Sequence, residues 1–69
     1  MFTFVNNKIN ETIIVYSSNI PNVNDIVSFD VEGFNREQYK VTEVNRHYKN
    51  IIGNDVIVTV LGIPLYYEE

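Results

Sequence analysis

The sequence predicts an all-β fold, and three observations carry the prediction. Val, Ile, Thr, Tyr and Phe supply 32 of the 69 residues, and these β-branched and aromatic side chains suit a pleated, half-buried surface. There is no Ala and there are only two Leu, so the strongest helix formers are nearly missing. Ten Asn punctuate the chain, and Asn favours turns and tolerates left-handed backbone. The length is that of a single domain, residues 1–69, near the lower limit for folding without staples. No cysteine is present to provide one. A chain so small gains from dimerisation, so monomer and homodimer both stay open.

The elements follow in order. Phe2-Thr3-Phe4-Val5 reads as a short strand, and Asn6-Asn7 as a two-residue type I′ turn with positive φ at both positions. Residues 9–17 contain the run Thr12-Ile13-Ile14-Val15-Tyr16, the second strand of that hairpin. Ser17 to Asp25 is the longest turn-rich stretch, and Pro21 biases Ile20 towards extended backbone. In Asp25–Val31, Val27, Phe29 and Val31 alternate with Ser28 and Asp30, which gives a strand with one buried face. Residues 32–37 read as a hairpin loop, with Gly33 and Asn35 suited to left-handed backbone.

Residues 38–48 form the next strand. Tyr39 and Val41 share one face whereas Val44 falls on the other, so a bulge or bend is expected near Thr42-Glu43. Gly53-Asn54 either makes a two-residue II′ turn or belongs to a six-residue loop, with the loop preferred. Val56–Leu61 reads as a strand buried largely on both faces, broken by Gly62 and Pro64, and Leu65-Tyr66-Tyr67 as a short edge strand. Five or six strands result. They fit a small five- to six-stranded SH3-like barrel or a strongly curled antiparallel sheet.

The SH3-like expectation rests on one segment. Pro21-Asn22-Val23-Asn24-Asp25-Ile26-Val27 resembles the Pro-x-x-Gly-Asp-x-Val lead-in to a strand in SH3-like small barrels, with Asn24 where the pattern has Gly. The resemblance extends over residues 20–61, with Tyr39–Arg46 similar to the next strand. It implies that position 24 is left-handed and that Asp25 ties the turn to the strand. It implies a fold and no activity.

Little in the chain points to catalysis. His47 is the sole histidine, and Ser17 and Ser18 sit in a turn without a nucleophile-elbow context. One histidine with scattered carboxylates does not make a zinc set, and Asp25, Asp30 and Glu32 lack calcium-loop spacing. No catalytic residue, metal or cofactor is expected, and the protein is read as not an enzyme.

Charge is more informative. The net charge of −4 disfavours general nucleic-acid coating. Yet Arg36, Lys40, Arg46 and Lys49 fall between residues 36 and 49 together with Glu37 and Glu43, so that stretch carries +2 and the remainder −6. Lys40, Arg46, His47, Tyr48 and Lys49 form the expected set for single-stranded nucleic acid, since small barrels bind single strands with basic strips and aromatics. The ordinary alternative is a solvated strand face with cross-strand ion pairs, and it is preferred.

Phe2, Phe4, Phe29 and Tyr16 read as core. Phe34, in a loop beside Gly33, and Tyr66 and Tyr67 near the end are the expected protein contacts. The leading expectation is therefore a non-catalytic protein-interaction module with a protein partner. The alternatives are a single-strand-binding barrel and an acidic inhibitor of a host protein encoded by a phage. Residues with AT-rich codons (Asn, Ile, Lys, Tyr, Phe) total 31 against seven for Ala, Gly, Pro and Arg, which suggests an AT-rich bacterial or phage genome. The first residues lack the pattern of a secretory signal and no apolar run is long enough for a membrane helix, so a cytoplasmic location without membrane contact is expected.

Overall fold

The computed structural model describes residues 1–30, 38–49 and 55–65. It is all-β. Five strands, β1 (Phe2–Asn6), β2 (Glu11–Val15), β3 (Ile26–Ser28), β4 (Gln38–Tyr48) and β5 (Val56–Pro64), form one sheet in the order β2-β1-β5-β4-β3. The sheet curls through 194° into a half-barrel. Among the described residues no helix is long and apolar enough to cross a membrane.

Sequence neighbours pair antiparallel: β1 with β2, β3 with β4, and β4 with β5. The remaining pairing, β1 with β5, is parallel, with Phe4 beside Val60 and Asn6 beside Gly62. The curled sheet matches the expected class, but its strands are mixed in orientation, where one of the two expected forms had them all antiparallel. Chain reversal between consecutive strands leaves odd-numbered strands running one way. Joining β1 to β5 edge to edge therefore makes them parallel, which local hairpin patterns do not reveal.

The concave face holds the core. Phe2, Phe4, Tyr39, Val41, Val58 and Val60 are buried, and Ile13, Val15, Ile20, Val27, Phe29 and Val44 pack against them. The rings of Phe4 and Phe29 lie 4.8 Å apart, and Phe4 meets Tyr39 edge-on at 5.2 Å. Such tilted contacts set the positive ring edge against the negative face and add about 0.5–1.5 kcal/mol per pair beyond burial.

The bulge expected in β4 is present. Val41 pairs with Gly62 and Glu43 with Leu61, leaving Thr42 as the extra residue, its hydroxyl donating to the Leu61 carbonyl at 3.2 Å. The extra residue brings Val44 back opposite Val60 and so restores the apolar face.

Several local expectations need correction. Asn6 is not a turn residue; it ends β1 and is buried, with its side-chain oxygen accepting the Lys8 N–H at 3.0 Å. The reversal spans residues 7–10, with positive φ at Asn10 and the Asn10 N–H donating to the Asn6 carbonyl at 2.7 Å. Tyr16 is not core: it is 82% exposed, because Ile13 and Val15 take the inward parity of β2. β5 is not buried on both faces. Val58 and Val60 are buried while Ile57 is 49% exposed, and the strand continues through Gly62 to Pro64. Gly62 is a point of close approach, since a Cβ there would lie 2.8 Å from the Phe4 ring and 2.9 Å from the Lys40 carbonyl oxygen. β3 is three residues long, shorter than the expected 25–31.

Candidate functional site

Three surfaces of the half-barrel have features that recognition could use. The first is a groove of about 430 Å³ between the two edges of the sheet. Residues 16–25 cross from β2 at one edge to β3 at the other, so the chain spans the open side. Phe2, Val15, Ile20, Val27 and Phe29 provide the apolar lining, with Asp25 at the polar side. The crossing segment is held by short-range bonds. The Asn19 N–H donates to Ser17 Oγ at 3.1 Å and the Asn22 N–H to Asp25 Oδ2 at 2.8 Å. Asn24 has φ of 79°, and its N–H donates to the Val41 carbonyl at 2.8 Å. Position 24 is thus left-handed, and Asp25 closes the turn through its carboxylate. Ser17 is engaged in capping a turn, the ordinary role of a serine at such a site.

The second surface is the far end of the β4–β5 hairpin. β1 pairs with β5 from Thr59 to Gly62, and β3 pairs with β4 from Gln38 to Lys40. Beyond these limits Arg46–Tyr48 and Val56–Val58 form a two-stranded arm. Its cross-strand pairs are Arg46 with Val58, His47 with Ile57, and Tyr48 with Val56. Opposite residues share a face, so Arg46 and Tyr48 lie on the concave side with Val58, and His47 lies on the convex side with Ile57. All four of Arg46, His47, Tyr48 and Lys49 are exposed, Tyr48 at 64%.

The structure divides the predicted nucleic-acid set. Arg46, His47, Tyr48 and Lys49 are gathered on the arm, whereas Lys40 is half-buried near the other end of β4 and pairs with Ile63 on the convex side. Six residues of strand separate Lys40 from Arg46, roughly 20 Å, and the bulge turns them to opposite faces. Among the predicted protein contacts, Phe34, Tyr66 and Tyr67 lie outside the described residues.

The third surface is the set of apolar side chains outside the core. Ile14, Ile26, Val56 and Ile57 are exposed, as is Tyr16 just past β2. Sequence reasoning missed Ile14 and Ile57 because each lies in an unbroken apolar run, where period-two patterning cannot assign faces. Among the described residues, no three His, Asp or Glu side chains gather as a metal set would require.

No family model, curated protein or solved structure matches the chain.

Proposed function

We propose that this chain is a non-catalytic protein-interaction module. The observation that carries the reading is the amount of large apolar side chain left on the surface of so small a fold: Ile14, Tyr16, Ile26, Tyr48, Val56 and Ile57 are all exposed. Scattered exposed apolar residues are ordinary. Here, however, Tyr48 and Val56 are paired on the concave face of the arm with Ile57 on its convex face, and an exposed Tyr is among the side chains that most often anchor an interface. Phe34, Tyr66 and Tyr67 are proposed as further contacts from the sequence.

The test is affinity capture with the immobilised full chain from a lysate of the source organism, read by mass spectrometry. A Phe34→Ala/Tyr66→Ala variant and a Tyr48→Ala/Ile57→Lys variant are compared with the wild type after circular dichroism shows both folded. At least one variant is expected to lose a partner that the wild type captures. Two folded variants that retain every partner would contradict the reading.

Two finer proposals accompany it. The SH3-like barrel is supported by the left-handed Asn24 and by the Asp25 carboxylate on the Asn22 N–H, the two details that the resemblance implies. A phage source has only codon bias behind it, and an acidic inhibitor of a host protein is a special case of the same interaction reading.

One observation favours a second function. Arg46 and Tyr48 share the concave face of an exposed two-stranded arm, with His47 on its convex face and Lys49 next in the chain, and a basic ribbon carrying an aromatic is a means of holding single-stranded nucleic acid. The chain's overall acidity opposes it.

A further inference from the structure

The two edges of this sheet are treated differently. β3 is three residues long and is bracketed by Asp25 and Asp30. Short length and flanking charge are the ordinary means of keeping an edge strand from pairing with another chain. β2 is five residues long, and from Thr12 through Tyr16 it has no charge, proline, glycine or bulge. It is also β-branched throughout Thr12–Val15, with Ile14 at 55% exposure. Such a segment on a sheet edge is a template for strand addition.

We propose that β2 is a self-pairing edge, through which two copies of this chain join antiparallel across a two-fold axis at Ile14. The proposal rests on the protein-interaction reading and names a second copy as the partner. The register selects that occupant and the absence of charge permits it. Two copies of a chain with net charge −4 repel each other, and a neutral seam adds nothing to that repulsion. Residues 12–24 contain no charged side chain, and β2 opens that stretch. The register is self-complementary. Pairing about Ile14 sets Ile14 against Ile14, Thr12 against Tyr16, and Ile13 against Val15. Glu11 falls opposite Ser17, so no like charges are opposed. Thr12 and Tyr16 lie on the convex parity of Ile14, and Ile13 and Val15 on the parity that faces Phe4 and Phe2. The pairing therefore continues both faces of the sheet. Because each copy uses the β2 edge, the one without such guards among the described residues, the assembly closes as a dimer and does not extend into a fibre.

The contact is small. Five strand residues a side compare with about 20–30 in a standard interface, so the dimer exchanges with monomer and grows with concentration. Analytical ultracentrifugation of the full chain over a concentration series is expected to show the mass rising from 8.0 kDa towards twice that value. Ile14→Lys, at an exposed side chain, is expected to hold the monomer mass throughout while circular dichroism shows a folded chain. Ile14→Cys supplies an independent readout, since the chain has no cysteine of its own. Under mild oxidation it is expected to form a covalent dimer much faster than Ile26→Cys, which is comparably exposed on the opposite edge. A wild type that stays monomeric at every concentration overturns the proposal, as does a dimer that survives Ile14→Lys or cross-links equally through Ile26→Cys. The capture experiment separates the two levels. A monomeric wild type that still loses a partner on Tyr48→Ala/Ile57→Lys leaves the interaction reading standing and removes only self-pairing.

Discussion

Gly62 shows what a single residue decides here. The Phe4 ring and the Lys40 carbonyl both occupy the space that a side chain at position 62 would need, at 2.8 and 2.9 Å from a notional Cβ. A ring can rotate, but the carbonyl is fixed by the β4–β5 ladder. Gly62→Ala is therefore expected to destabilise the domain by about 1–3 kcal/mol, the usual range for overpacking, seen as a lower urea midpoint with an unchanged slope. The sequence alone reads Gly62 as a breaker, because a glycine that permits close approach looks the same on paper as one that ends a strand. Asn24 is the opposite case. Its left-handed φ was readable, since a short side chain that tolerates that backbone sat where a known turn places glycine. Tyr16 misled because alternation assigns faces only where polar residues interrupt the run.

At the scale of the element, β4 was the most legible strand. The change of parity between Val41 and Val44 required one extra residue, and Thr42 is that residue. The hairpin arm was not legible. How far β4 and β5 run past their neighbours depends on where β1 and β3 stop, and that is a property of sheet order. The arm divides the basic set, and the division is testable. If the arm holds single strands, Arg46→Glu weakens binding of a labelled mixed-sequence oligonucleotide and lowers the salt slope by about one or more. Lys40→Glu, on the opposite face beyond the bulge, leaves both nearly unchanged. Fluorescence anisotropy across a salt series distinguishes these outcomes, and a wild type with no signal at low salt removes the nucleic-acid reading.

For the whole molecule, the fold class and the hairpin-linked strands were written in composition and alternation, whereas the strand order was not. Nothing in a local pattern says that β1 lies against β5, because that pairing joins distant segments and leaves no period behind. The candidate surfaces share this limit: the arm residues were named from their spacing, but their separation from Lys40 came from the sheet. The small core has a direct energetic consequence. A domain of 69 residues has a total stability of roughly 3–10 kcal/mol at the usual value per residue. Truncating a buried Phe removes about 3–5 kcal/mol. Phe4→Ala is therefore expected to leave the chain at or close to its unfolding transition at room temperature, measurable by urea titration followed by circular dichroism.

The parallel ladder between β1 and β5 also sets the order of events in time. The β1–β2 hairpin and the β3–β4–β5 meander are each built from near neighbours, so their ladders close at little cost in loop entropy. Their union waits on Phe4 finding Val60 with most of the chain strung between them. That search costs loop entropy before any contact rewards it. The seam at the middle of the finished sheet is thus expected to close last, so that weakening it by Val60→Ala slows refolding in stopped-flow fluorescence more than an equally destabilising change in β2.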